Sequence, residues 1–213
     1  MSVIWDSKCR YCRRAGVKLF LKGARCKSRK CAMEKDKRKK PPGQHGEDAI
    51  RKKVTEFGEQ LQEKQKLKRM YQLREGQFSA YMEEATRRRG VTGENLLELL
   101  ETRLDNVIYR IGWASSRGQA RQLVSHRFFT VNGKRVNVPS YQTRPGDVIA
   151  LHESKRETNY MKEQGIEKVT LTSTPPWISF DQSTYEAKIL RVPTRDEIDT
   201  QISEQLIVEF YTR

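Results

Sequence analysis

After Cys31 this 213-residue chain has no cysteine, and over its whole length it has three histidines and no run of eighteen apolar residues. The missing apolar run excludes a membrane-spanning helix, which needs about 20 such residues. No apolar leader-type stretch follows Met1, so a soluble chain in a reducing compartment is expected, a bacterial cytoplasm before an organelle matrix. No Gly-x-Gly-x-x-Gly or phosphate-loop pattern occurs, which removes the backbone cradle that nucleotide-using enzymes place around phosphates. Hydrophobic residues make up only 36% of the chain, so two small cores suit it better than one large one, and no internal repeat is evident.

Acidic residues are scarce at the start. Residues 1–53 hold eighteen Lys or Arg against five Asp or Glu, so nearly all of the net +15 sits in the first quarter of the chain. A block of that kind attracts polyanions, and each phosphate it neutralises releases condensed counterions. A disordered solubilising tail is the competing reading for residues 27–46.

The four cysteines lie inside this block as Cys9-x2-Cys12 and Cys26-x4-Cys31, with thirteen residues between the pairs. Two short thiol pairs at that spacing suit a tetrahedral Zn²⁺ site, and neighbouring cations favour thiolates. Free thiols and two disulfides are the other readings, and His45 could replace one thiol. Four cysteine ligands leave no open coordination position, so such a zinc is structural. It would order residues 1–31 and aim Lys8, Arg10, Arg13, Arg14, Arg25 and Lys27 at phosphates.

Pro41-Pro42-Gly43-Gln44-His45-Gly46 breaks regular structure and ends the cysteine segment. From Glu47 the apolar residues Ile50, Val54, Phe57 and Leu61 predict a helix with one stripe, continuing loosely through Leu67, Met70 and Leu73. A second helix is expected after Gly76, with Phe78, Tyr81, Met82 and Ala85 inward and Arg87-Arg88-Arg89 at its end, as cap or as phosphate contact. A third is expected from Thr92 to Ile111, stopping at Gly112.

Ser116 and Gln119 are spaced to cap a helix start reciprocally, with Ala120, Leu123 and Val124 inward and Arg117, Arg121 and Gln122 outward. His126–Val131 and Lys134–Val138 read as strands about the hairpin turn Asn132-Gly133. Val148–Leu151, Trp177–Phe180 and Ala187–Val192 read as further strands. Ser154 and Glu157 predict a capping box on a short polar helix ending at Gly165, and Leu206, Ile207, Phe210 and Tyr211 a terminal helix. From about Glu98 to Leu151 this makes two helices on a small sheet, with Arg103, Arg117, Arg121, Arg127, Lys134 and Arg135 converging from helix starts and the hairpin.

Leu104-Asp105-Asn106-Val107, Ser116 through Val124 and Phe129-Thr130-Val131-Asn132-Gly133 resemble the S-four RNA-binding domain. With Pro41 through Gly46, Leu61-Gln62-Glu63-Lys64-Gln65-Lys66 and the tail Glu204 through Tyr211, essentially the whole chain resembles the bacterial ribosomal protein S-four family, in its zinc-binding, cysteine-containing form. The resemblance implies an α+β fold. Residues 1–46 would be a zinc-stapled basic segment with its Pro/Gly turn, 47–97 a helical domain joined by the tail 193–213, and 98–192 an inserted S-four domain with a mostly antiparallel sheet.

The resemblance further implies a non-enzymatic, primary binder of small-subunit ribosomal RNA that nucleates assembly of the 5′ domain. Such a protein touches neighbouring small-subunit proteins, lines the messenger-RNA entrance and influences decoding accuracy, with no membrane and no small-molecule substrate as partner. The RNA-contact set on this reading adds Gln44, His45, Arg51, Lys64, Lys68, Arg69, Gln119, His126 and Asn132 to the cations already named. Two rivals remain. One is an RNA-modifying enzyme carrying the same small domain, for which too few residues lie outside the recognised segments. The other is a zinc-containing DNA-binding regulator, for which no groove-entering finger helix or dimer seam is evident.

Overall fold

A computed structural model describes residues 7–35, 39–46, 48, 53–158, 160, 174–181, 183–198 and 201–212. The chain forms two compact units, residues 1–78 with 201–213 and residues 79–200. The division falls at 78/79, whereas the sequence pattern places it at 97/98. Residues 79–97 belong to the second unit, in which Asn95 donates to the Ala85 carbonyl at 3.3 Å and Arg88 pairs with Glu98 at 3.1 Å.

In the first unit α1 (Lys8–Ala15) ends at Gly16, whose φ of 70° is the left-handed conformation that glycine adopts without a Cβ penalty. A loop leads to the single turn α2 (Ala24–Lys27) and a 3₁₀ turn, Ala32–Glu34. Helix α3 spans Glu56–Met70 and starts at Thr55, whose hydroxyl accepts from the Gly58 N–H at 3.2 Å. The expected helix from Glu47 is therefore not continuous: residues 53–55 are not helical, and Ile50 and Arg51 lie outside the described residues.

The buried face of α3 is Gln60, Lys64, Leu67 and Met70 instead of the Phe57–Leu61 stripe. Its partner is α9 (Glu204–Thr212), and the seam is aromatic: Phe57 meets Phe210 at 5.5 Å, and the Lys64 ammonium sits 4.3 Å over the Phe210 ring. Helix α4 (Glu75–Arg87) begins in this unit, and its Glu75 receives Lys64 at 2.5 Å and Lys68 at 2.6 Å. Tyr211 donates to the same carboxylate at 3.2 Å.

The second unit contains α5 (Thr92–Glu101), α6 (Leu104–Ile111) and α7 (Arg117–Ser125). Its sheet has the order β2-β1-β3-β5-β4, antiparallel throughout: β1 Phe129–Val131, β2 Lys134–Arg135, β3 Val148–Leu151, β4 Ile178–Asp181 and β5 Glu186–Ile189. Helices α6 and α7 close one face of the sheet. Leu104, Val107, Ile108, Ile111, Ala120, Leu123 and Val124 join Phe129, Val131, Ile149, Leu151, Trp177, Ala187 and Ile189 in one core. Trp113 stacks on Phe129 at 5.3 Å and meets Phe180 edge-on at 5.8 Å.

The single helix expected over Thr92–Ile111 is two, because the segment 139–143 takes the backbone groups at the junction. Leu104 N–H donates to the Tyr141 carbonyl, Asp105 N–H to Pro139 and Thr143 N–H to Thr102, while Arg103 bridges to Gln142. The strand expected from His126 starts only at Phe129, since the His126 N–H caps α7 and Arg127 turns the chain with φ 59°. The turn Asn132-Gly133 is as expected, with φ of 50° and 76°, and the return strand is shorter, Lys134–Arg135. The polar helix α8 (Glu153–Arg156) is capped by His152, whose Nδ1 accepts from the Ser154 N–H at 3.1 Å, and not by Ser154.

Glu75 and Arg103 give two tests. Burial raises the Glu75 carboxyl, but the Lys64 and Lys68 ammoniums outweigh it and hold the group down at about 2, against an ordinary 4.5. A depressed folded pKa stabilises above the unfolded value and is lost as pH falls through the folded one. Glu75→Gln should therefore lower the urea midpoint at pH 7, and its deficit against the parent should shrink as pH falls from about 4.5 to about 2. Arg103 is 2% exposed and bidentate to Asp105 at 2.7 and 3.0 Å. Arg103→Met should cost roughly 3–5 kcal/mol of unfolding free energy, because it leaves the buried Asp105 charge uncompensated; a urea titration measures it.

Candidate RNA interface

In the first unit the basic surface is built on the cysteine turns. Cys9 and Cys12 lie three residues apart on one face of α1, Cys26 is in α2 and Cys31 precedes the 3₁₀ turn; all but the half-buried Cys9 are enclosed, and none is in a disulfide. The Lys22 N–H donates to Cys26 Sγ at 3.3 Å. Burial pushes the Cys12 thiol above its ordinary value; the Leu19 backbone N–H opposes this, while Cys26, Cys9 and Cys31 add to it. Four thiols of one short segment, two of them receiving backbone amides, form a donor set whose chemistry fits a soft dication. Among the described residues, however, no group of three or more Cys, His, Asp or Glu side chains stands close enough to hold a metal ion as it is.

The cations around these thiols divide by contact. Arg10, Arg14, Arg25 and Lys27 are exposed, as expected of a phosphate-facing set. Lys8 is half-buried, with Nζ donating to the Leu21 carbonyl at 3.5 Å. Arg13 donates through Nε to the Lys40 carbonyl at 2.7 Å and reaches that of Pro41 at 3.4 Å, tying the Pro/Gly turn to α1. That turn is tight: a Cβ on Gly46 would stand 2.1 Å from the Pro41 oxygen. Gln44 and His45 are exposed on it, the imidazole 3.5 Å from Asp48. Arg69, on α3, lies 4.9 Å over the Tyr11 ring.

Four of the expected RNA-facing cations are held by the frame of the protein instead. Lys64 is buried beneath Phe210 and Glu75, and Lys68 shares that carboxylate. Arg103 is engaged by Asp105 and by the Tyr81 hydroxyl, which accepts at 2.6 Å. Arg117, read as outward, is 8% exposed and donates to Asn106 Oδ1 at 2.7 Å with its guanidinium 4.7 Å over Tyr109. Behind it the buried Glu101 accepts from Arg110 at 2.7 and 2.8 Å and from Asn106 at 2.8 Å. A guanidinium so enclosed cannot reach a phosphate without breaking the core.

Two polar candidates hold local structure. The Ser116 hydroxyl accepts from the Gln119 N–H at 3.4 Å, but the Gln119 side chain returns to the Ser115 N–H at 2.8 Å, one residue earlier than a reciprocal box. Asn132 donates to Asp147 at 2.8 Å and accepts from the Val148 N–H at 2.9 Å, which clamps the hairpin to β3.

What stays outward in the second unit is Arg121, half-exposed on α7, then His126 and Arg127 at its end and Lys134 and Arg135 on β2. The sequence reading missed Lys155 and Arg156, which the His152 N–H bond to the Phe128 carbonyl at 2.9 Å brings beside this group. Lys155 lies 5.1 Å over Phe128 and Arg156 lies 5.6 Å over Tyr185, and Arg135 stands 3.3 Å from His152 Nδ1. The adjacent basic pair that follows the apolar strand Val148–Leu151 after three residues was the signal available. Clustered cations interleaved with aromatics can pair with phosphates and stack on unpaired bases.

Residues 5–101 match the family model of the ribosomal protein S4/S9 N-terminal domain, and residues 102–149 match that of the S4 domain. The chain is 53% identical to the small ribosomal subunit protein uS4 of Heliobacterium modesticaldum over 205 residues, 96% of each chain. It is 54% identical to that of Dictyoglomus turgidum over 96% of each chain, and 52% identical to that of Pelotomaculum thermopropionicum over 97% of each. The chain belongs to the bacterial-type uS4 family of ribosomal proteins, with both the N-terminal domain and the S4 domain of that family.

Proposed function

We propose that this chain is a non-enzymatic structural constituent of the small ribosomal subunit that binds folded ribosomal RNA through a basic surface on each of its units. The observation that carries the reading is similarity over nearly the whole chain to proteins named for that subunit. The separation of enclosed from outward cations supports it. RNA helices keep their base edges in a deep, narrow groove, so fixed cations on a rigid frame read phosphates, 2′-hydroxyls and junction shape more than sequence. On this reading the chain nucleates assembly of the 5′ domain, touches neighbouring small-subunit proteins and lies at the messenger-RNA entrance of the bacterial cytoplasmic ribosome, where it influences decoding accuracy.

Cys9, Cys12, Cys26 and Cys31 would hold a zinc ion, which supplies a cross-link and no reactive position. Burial of three of the thiols and the amide donated to Cys26 support that assignment. The residues themselves set the loop and helix that carry Arg10, Arg14, Arg25 and Lys27.

An equilibrium competition titration at near-physiological salt tests the function. The full chain should prefer labelled 5′-domain RNA over unrelated structured RNA and duplex DNA by roughly a hundredfold or more, and equal competition by all three would leave only non-specific attraction. In the same assay Arg121→Glu with Lys134→Glu should weaken binding and flatten its salt dependence, by about one unit of slope for each phosphate no longer neutralised. Unchanged affinity would remove this face from the interface. Cys9→Ala should release zinc, read by a chromogenic chelator, and weaken RNA binding while leaving the urea transition of residues 79–200 in place. Parent-like RNA affinity in that variant would sink the orienting role.

A further inference from the structure

Phe20 is an exposed aromatic in a strained backbone conformation. Its φ is 50°, a region that bulky L-residues rarely occupy, and its side chain is 42% exposed between Leu19 and Leu21, which are 1% and 3% exposed. Two of the other left-handed side chains have visible partners: Asn132 clamps Asp147 and Val148, and Tyr185 lies under Arg156. For Phe20 there is no ring or cation contact among the described residues.

The loop around it is held from both sides. Leu19 donates its N–H to the Cys12 sulfur, the Leu21 carbonyl accepts from Lys8 at 3.5 Å, and the next N–H, of Lys22, binds Cys26 Sγ at 3.3 Å. Such over-determination is how a strained residue persists, and it fixes the direction in which the Cα–Cβ bond of Phe20 leaves the loop before any partner arrives. The setting is cationic: Lys22, Arg25, Lys27, Arg29 and Lys30 are exposed within the next ten residues.

We infer that Phe20 is a preformed stacking platform for an unpaired base of the bound RNA, in a site where the neighbouring cations hold the backbone of the same nucleotides. The inference rests on the RNA-binding reading above. An exposed ring carried outward from a rigid loop offers a face to any splayed base, and stacking is indifferent to base identity. The platform therefore contributes affinity and local register, while the cations contribute the salt-dependent attraction.

Phe20→Asn tests it, since asparagine tolerates positive φ and removes the ring. The full chain carrying it should keep or raise its thermal midpoint, lose roughly fivefold to a hundredfold in affinity for 5′-domain RNA and retain the parent's salt slope. Phe20→Leu, which keeps apolar bulk, should lose affinity similarly, and Phe20→Trp should stay within about threefold of the parent because it keeps a π-face. Binding by Phe20→Asn and Phe20→Leu equal to the parent's would overturn the platform while leaving the functional reading intact. A loss in Phe20→Trp as large as in Phe20→Asn would also overturn it, pointing to loop packing. If the parent itself failed to prefer ribosomal RNA over duplex DNA, the functional reading would fall first, and the platform with it.

Discussion

Among the described residues, three carboxylates hold the buried cations in place. Glu75 gathers Lys64 and Lys68, Glu101 gathers Arg110 and lies beneath Arg117, and Asp105 gathers Arg103. In a chain of net +15, desolvating a cation without a partner would cost more than any helix contributes, so a buried cation must have its anion. Each acidic group is itself buried, or anchored by more than one donor, and Glu75 and Glu101 each tie together residues from different helices. The exposed cations Arg10, Arg14, Arg25 and Lys27 lie at the surface, where a polyanion can meet them. Sorting of charge by burial is thus what separates the cations of the frame from those left at the surface of each unit.

The cysteine segment follows a related logic with sulfur in place of carboxylate. Its helices are too short to bury much apolar surface, so backbone amides donated to thiols and two inward leucines hold the turns. A metal cross-link would add what the small core lacks. The Pro/Gly turn is fastened to the same unit by Arg13, a cation whose fork is engaged by main-chain carbonyls and so contributes order more than reach.

Much of the architecture was legible in the residues. Asn132-Gly133 marked the hairpin, Gly112 the end of α6, and the strand Val148–Leu151 and the tail helix stood where the apolar pattern put them. The misplacements share one cause, which is that distant segments compete for backbone and side-chain groups. Residues 139–143 interrupt the helix that local propensity would continue through Thr102 and Arg103. The aromatic residues of α9 turn Lys64 inward and leave Phe57 at the edge. Arg117 looked like the outward face of an amphipathic helix, and a carboxylate sixteen positions earlier draws it in.

Composition, spacing and turn chemistry are local properties, and they alone establish a polyanion-binding chain whose charge is concentrated beside four thiols, with a small α/β domain after them. Which arginines remain available, and which residue is both strained and exposed, is settled by the folded state. Burial of a charge or a ring depends on neighbours that the chain brings together after folding, and no periodicity records them.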